Sequence, residues 1–309
     1  MLQTLSGPIS GEELGLILPH EHLFTDLRGP TSIGYAKADV ANVAQVIGPY
    51  LEQAWQRGVT ALVECSTLGV GRNLDVLLRL AEITPIKIIA PTGVYRQAFI
   101  PPHLLEMSAE ALADLWIGEL LEGIEGSRVR AGFIKIAMSD DGPLPLEARN
   151  LRTAARASRQ TGAVIASHTT SWEVARQELD LLEAEGLELS RFIWVHANLE
   201  PDRSSHLEAA RRGAFVELDA VGAGWQDQER LLADVLALIE AGYSQHILLS
   251  HDAGWYDPGQ GDGHPAEGGI RGYTSIVEEF LPALAERGVS AAILHQITHH
   301  NPVRAFSFP

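Results

Sequence analysis

Six side chains of metal-ligating type stand at or near the ends of apolar runs in this 309-residue chain. His20 and His22 flank Glu21 in Pro19-His20-Glu21-His22. Side chains two apart on an extended strand share a face, so both imidazoles can address one metal ion. His168 closes Ala166-Ser167-His168, and His196 closes Trp194-Val195-His196. Asp252 follows Leu248-Leu249-Ser250-His251, where alternation turns His251 away from Asp252 and out of the ligand set. Lys135 interrupts the apolar run Gly132-Phe133-Ile134-Lys135-Ile136-Ala137. Each has a plainer reading when taken alone: a hydrogen-bonded core histidine, a helix-capping aspartate, a lysine snorkelling to a strand end. Together they form a nitrogen and oxygen donor set suited to zinc, manganese, iron or cobalt. No thiolate joins them, which argues against a structural zinc cluster.

That donor set implies hydrolysis. A lysine buried among histidines loses its proton readily, because burial disfavours the charged form. Its neutral amine can add CO2, and the resulting carbamate offers two oxygens able to bridge two ions. A hydroxide between two such ions is a strong nucleophile at neutral pH, and the ions polarise the carbonyl or phosphoryl oxygen under attack. Asp252 beside that hydroxide would take its proton and pass it to the leaving group. The candidate metal ligands are therefore His20, His22, Lys135, His168, His196 and Asp252, with Asp252 and Lys135 as the catalytic pair.

The elements that must position these residues repeat along the chain. Short apolar runs predict strands at Gly15–Leu18, Thr60–Cys65, Lys87–Ala90, Gly132–Ala137, Ala163–Ala166, Phe192–Val195, Ala214–Leu218 and His246–Ser250. Nearly continuous apolar character is expected where both faces of a parallel sheet are covered. Helical periodicity lies between them, as in Val40–Arg57, which puts Val43, Val46, Ile47, Tyr50, Leu51 and Trp55 on one face. Gly58, Gly126, Gly162, Gly186, Gly213, Gly242 and Gly288 read as helix stops, and Asn73, Ser108 and Ser204 as N-caps. Eight such units predict an α/β fold of the (β/α)8 barrel type, a single domain over residues 1–309. A doubly wound sheet is the rival, but the G-x-G-x-x-G loop after the first strand is absent. Barrel active sites form at strand C-terminal ends. Chance would put about one of the chain's twelve histidines there, whereas His20, His22, His168, His196 and His251 all fall there.

Composition narrows the partners. With 46% hydrophobic and 20% charged residues the chain can bury a sizeable core. A net charge of −17 opposes nucleic acid and anionic membrane surfaces, leaving a small-molecule substrate. The single cysteine, Cys65, excludes an internal disulfide and reads as a buried thiol. No signal peptide or membrane-spanning stretch is evident, so a reducing cytoplasm is the expected location.

The ordered motifs resemble the phosphotriesterase-like family of the amidohydrolase superfamily along essentially the whole chain. They run from Gly7-Pro8-Ile9 and Leu18-Pro19-His20-Glu21-His22-Leu23 through Glu64-Cys65-Ser66-Thr67, Gly71-Arg72-Asn73 and Ala131-Gly132-Phe133-Ile134-Lys135. His168-Thr169, Val195-His196, Leu249-Ser250-His251-Asp252 and Asn301-Pro302-Val303-Arg304-Ala305-Phe306 complete them. The resemblance implies a binuclear centre loaded with zinc first, or with manganese, cobalt or iron. His20, His22 and Asp252 would hold the more buried ion and His168 and His196 the more exposed one, bridged by carboxylated Lys135 and hydroxide. Family activities include hydrolysis of organophosphate triesters and of lactones, and members often form homodimers.

Departures from the pattern favour the lactonase members. Triesterases carry an acidic residue where this chain has Leu199, and a histidine where Ala220 follows Asp219. Tyr95, in Thr92-Gly93-Val94-Tyr95, is similar to the mouth tyrosine of lactonases. The glycine-rich segment Ala253–Gly272 reads as a long loop supplying Trp255, Tyr256, His264 and Arg271 as substrate contacts. Arg271, with Arg96, could receive an anionic substrate group. The expected function is lactone hydrolysis with weak triesterase activity; the alternatives are a phosphotriesterase proper or a non-catalytic ligand-binding barrel.

Overall fold

Runs that are apolar on both faces satisfy their backbone polar groups only by pairing with one another, and here they pair in parallel. The computed structural model describes residues 1–309. A short antiparallel hairpin, β1 (Leu2–Thr4) and β2 (Gly7–Ile9), comes first. The barrel strands follow: β3 (Leu16–Phe24), β4 (Val59–Glu64), β5 (Lys87–Ile89) with its continuation β6 (Pro91–Val94), β7 (Phe133–Ala137), β8 (Ile165–His168), β9 (Phe192–Val195), β10 (Phe215–Leu218) and β11 (Ile247–Leu249). Each is parallel to the next from β3 to β5 and from β6 to β11, with Ala90 the only break between β5 and β6. The first and eighth strands are tied together where the Asp252 N–H donates to His20 O at 3.3 Å and the His20 N–H to Ser250 Oγ at 3.0 Å. This is the α/β barrel that the eight apolar runs predict, with helices between the strands.

The segment after β11 differs from the expectation of an unbroken loop. Gly254–Tyr256 forms a further strand, β12, parallel to β3 with Gly254 opposite His22 and Tyr256 opposite Phe24. Its pairing puts part of that segment into the barrel wall.

Asn73 and Ser108 cap their helices, accepting from Val76 N–H and Ala111 N–H. The expected cap at Ser204 is corrected: Asp202 caps Arg203–Arg212 and accepts the Ser204 N–H, because the helix starts two residues earlier. In Val40–Gln56, Val43, Ile47 and Leu51 are buried, but Trp55 is 40% exposed and Ala54 takes the buried place. Gly162 and Gly213 end their helices in the left-handed conformation, at φ 83° and 106°. No helix is long and apolar enough to cross a membrane.

Strand alternation splits the core in two. Leu62, Ile134, Ile165, Trp194, Val216 and Ile247 face the helices within a cluster of 64 buried residues. Ile17, Val63, Phe133, Val195, Phe215 and Leu248 point into the lumen within a cluster of 16, closed below by Leu2 and Phe306.

Candidate metal centre

The same alternation carries polar residues into the upper lumen. Lys135 lies two places beyond Phe133, His168 two beyond Ala166, and Glu217 and Asp219 two and four beyond Phe215. On β3, the register against β4 shifts between Leu18 and Glu21. Ile17 and His20 therefore both face the lumen despite their odd separation, and Glu21 points out.

His20 and His22 bring their Nε2 atoms to 3.4 and 3.2 Å from Asp252 Oδ1. Their other ring nitrogens are already engaged. His20 Nδ1 lies 3.1 Å from Glu217 Oε2 and 3.4 Å from Asp219 Oδ2, and His22 Nδ1 lies 2.7 Å from Ser66 Oγ. His196 Nδ1 meets Asp219 Oδ1 at 2.9 Å. Metal-ligating histidines characteristically donate the second N–H to an outer carboxylate or hydroxyl, which fixes ring and tautomer. The His168 and His196 ring centres are 4.4 Å apart, and the Tyr95 hydroxyl is 3.2 Å from His168 Nδ1. Lys135 is 2% exposed, and its Nζ has no hydrogen-bond partner.

The charges follow from this packing. Burial, reinforced by the Lys135 charge, pushes His20 down to about 3. Burial and then the neighbouring His196 hold His168 well below its usual value. Both rings are thus neutral and keep a lone pair, as a metal ligand must. Burial opposes ionisation of Asp252, but the His22 hydrogen bond and the surrounding histidines outweigh it and hold the carboxyl well below the usual range. Burial and then Asp219 push Glu217 up, whereas His196 and His20 hold Asp219 low against burial.

These residues fit bound divalent ions on two counts. One ligand atom from each of His20, His22 and Asp252 lies within 4.8 Å of the others. A second grouping of the same tightness, His20, His196 and Asp219, also exists, but Asp219 is spent on the two Nδ1 atoms and serves to orient the rings. An ammonium at Lys135 would bury three donors with no acceptor, a costly arrangement that a bridging carbamate removes.

A cavity of about 150 Å³ opens over the six candidate ligands, walled by Tyr95, Cys65, Val70, Leu27 and Trp255. A second, of about 580 Å³, adjoins it and shares Leu27, Asp252 and Trp255. Five non-glycine residues adopt positive φ, and three of them stand here: His196 at 65°, Asp252 at 49° and Trp255 at 55°. Such strain persists only where surrounding contacts enforce it, and it concentrates at functional sites. Gly254 has φ 92°, and a Cβ there would collide with His22 O and the Tyr273 hydroxyl, so only glycine lets β12 lie against β3.

Of the expected substrate contacts, Tyr95 and Trp255 line the cavity. Arg271 borders the larger cavity, but its Nη2 donates to His251 O at 2.8 Å and Asp252 O at 2.6 Å, so half of it buttresses the strained turn. Arg96 sits 5.6 Å over the Tyr95 ring. Tyr256 and His264 do not reach either cavity: Tyr256 is buried, stacked on Phe24 and bonded to Asn42, and His264 is exposed beside Asp262. His251 faces outward between Glu21 Oε1, 2.6 Å from its Nδ1, and the Ile276 N–H, 3.0 Å from its Nε2. Leu199 is 41% exposed and Ala220 is buried, and neither lines either of these two cavities.

Sequence reasoning passed over the supporting acids. Glu217 and Asp219 were visible as acids on one face of an apolar strand, in Phe215-Val216-Glu217-Leu218-Asp219. Glu21 accepts from Ser250 Oγ and from the His251 and Ala253 N–H groups, holding the turn that carries Asp252.

The phosphotriesterase family pattern matches residues 1–306. A phosphotriesterase homology protein of Escherichia coli is 30% identical, the match covering 96% of this chain and 100% of that protein. An aryldialkylphosphatase of Saccharolobus solfataricus is 27% identical, covering 97% of each. Among solved structures, a mutant of a phosphotriesterase-like lactonase from Deinococcus radiodurans superposes with a TM-score of 0.89 at 28% identity, over 99% of this chain and 100% of that one.

Proposed function

This chain belongs to the phosphotriesterase family, and from that premise we propose that it is a binuclear metal-dependent hydrolase of lactones with weak organophosphate triesterase activity. The observation that carries the reading is the convergence of His20, His22, His168, His196 and Asp252 around a buried lysine amine that has no hydrogen-bond partner. His20, His22 and Asp252 would hold one ion, His168 and His196 the other, with Lys135 between them as its carbamate; zinc is the first choice of metal. When bound, such ions polarise the scissile carbonyl and acidify the attacking water.

The remaining steps fall to the chain's own residues. Asp252 presents a carboxylate to the cavity, where an oxygen can take the proton of the attacking water and return it to the departing alkoxide. Tyr95 keeps its phenol proton because burial disfavours phenolate, so its hydroxyl is a donor for the lactone ring oxygen. Leu27, Val70 and Trp255 supply apolar wall.

The cavity's shape favours a lactone over a triester. A lactone carbonyl is planar, with its ring on one side and one arm to accommodate. The small chamber of about 150 Å³ opening into one of about 580 Å³ suits a ring and a single substituent. A triester presents three substituents around a tetrahedral phosphorus and needs room on three sides. Leu199 and Ala220, at the positions where triesterases carry an acid and a histidine, support the same choice.

The test is proton release by the metal-reconstituted protein on simple, acyl-homoserine and phosphorylated sugar lactones, with an aryl phosphotriester alongside. Faster turnover of a lactone class is expected. Faster turnover of the triester would make this a phosphotriesterase proper, and two bound ions with no hydrolysis of either would direct the search to other esters and amides.

A further inference from the structure

At the opposite end of the barrel, three histidines that the proposed reaction does not use come together near the C-terminus. His295, His299 and His300 place one nitrogen each within 4.8 Å of the others. Their ring centres are 4.7, 4.6 and 4.9 Å apart pairwise, and the His295 and His299 planes are stacked within 6°. We propose that this triad is a second divalent-cation site, of the zinc, nickel and copper(II) class, on the floor of the barrel.

The local backbone explains how the spacing works. Residues Gln296–His300 form a π-helical turn, in which the Asn301 N–H donates to Gln296 O. In an α-helix of 3.6 residues per turn, residue i+5 would swing about 140° away from residue i. The wider π-turn instead sets His299 and His300 on either side of the direction of His295. Such turns occur as local insertions in α-helices, often at functional sites.

The inner ring is prepared as a ligand. His299 is 9% exposed, and its Nδ1 lies 2.9 Å from Gly15 O, just before β3. A carbonyl oxygen only accepts, so Nδ1 carries the proton and Nε2 keeps its lone pair. This is the second N–H engagement that fixes ligand tautomers in metal sites. His295 and His300 are exposed, and their rings can turn without disturbing the core. About a tetrahedral zinc ion with Zn–N near 2.0–2.1 Å, ligand nitrogens stand about 3.4 Å apart, so modest ring rotations complete the site. Imidazole nitrogens favour these late first-row ions over magnesium or calcium. Three protein ligands leave further positions to water.

The position also implies a role. Asn301 Nδ2, next in the chain, donates to Ser244 O and to Ile247 O at the start of β11. An ion on the triad would therefore stiffen the turn whose His299 and Asn301 hold Gly15, Ser244 and Ile247 at the start of the two strands that close the barrel, at the end remote from Asp252.

Tag-free protein, with its catalytic centre loaded and excess metal removed, is titrated with zinc, and bound metal is counted by mass spectrometry. Wild type is expected to take up one ion more than the His295→Ala/His300→Ala variant. Lactone turnover is unchanged, and the residual affinity of His300→Gln falls at least about tenfold. Copper(II) added to the zinc-loaded protein should give a paramagnetic resonance spectrum with nitrogen ligation that the double variant lacks. Equal uptake by wild type and double variant, or a copper spectrum that survives the substitutions, overturns the proposal. Because ions and spectra are counted on protein whose catalytic centre is already filled, the outcome does not depend on which ester the enzyme cleaves.

Discussion

Phe133 and Lys135 leave the same strand on the same side, two residues apart, and meet different surroundings. Phe133 is fully buried among lumen hydrophobics, edge-on to Phe306 with ring centres 5.4 Å apart. Lys135 is almost as buried, but its neighbours are four histidines and an aspartate. The contrast recurs on β10, where Phe215 lies below Glu217 and Asp219. The lower lumen thus supplies close packing and the upper lumen holds polar groups that packing alone would expel. Barrels commonly divide stability and chemistry between strand N-terminal and C-terminal ends. Here the division falls within single strands, over about two residues of 3.3 Å rise each.

Substitutions at the two levels should separate the two properties. The largest effect is expected from Lys135→Ala, with bound metal falling from two ions per chain to one or none and turnover lost with it. A variant retaining both ions would end the carbamate assignment. Next, Asp252→Asn should lower kcat by roughly 10²–10⁴-fold while moving the melting temperature little; unchanged turnover removes Asp252 from proton transfer. Below it, Phe133→Ala should cost about 3–5 kcal/mol in chemical denaturation with kcat per folded molecule preserved. If activity fell with stability, the levels would be coupled after all.

Asp219→Asn tests the outer carboxylates. It keeps the shape but weakens the hold on His196 and His20, so metal affinity should fall roughly 10–100-fold in competition with a chelator. The smallest change is expected at Tyr95→Phe. Loss of one hydrogen bond, about 0.5–1.5 kcal/mol, corresponds to a roughly 2- to 10-fold lower kcat/KM on the preferred lactone. An equal fall on the triester would show that Tyr95 does not read the lactone ring.

Much of this division can be read along the chain, because strand composition reports on burial directly. The apolar runs mark all eight barrel strands, and the glycine after Val40–Gln56 takes the positive φ expected of a helix stop. What stays hidden is settled by contacts between distant segments. Nothing local to His20 indicates that Glu217, 197 positions later, will face its Nδ1. Arg271 looks free for an anion until the turn at Asp252 folds back and takes Nη2 with two carbonyls. Asp202 and Ser204 are both good caps, two residues apart, and the extended backbone at Asp202 followed by helix from Arg203 chooses between them. Gly254-Trp255-Tyr256 sits in a glycine-rich stretch, and its strand pairing needs the finished edge of β3.

That pairing bears on how the enzyme can acquire new substrates. β12 joins the segment bearing Trp255 to the strand that carries His20 and His22, and Gly254 tolerates no side chain at the junction. Insertions or sequence drift within 252–256 would therefore propagate into the ligand geometry. The stretch after Asp257 pairs with no strand, and Gly259, Gly261, Asp262 and His264 are exposed, while Gly263 is buried at φ 76°, where a Cβ would collide with the Tyr256 ring. Pro265, Glu267, Gly268 and Gly269 line the larger cavity. Specificity can diversify from this outer half while the inner half stays fixed, so a substrate-profiling library belongs at 258–270, sparing Gly263, and not at the tryptophan.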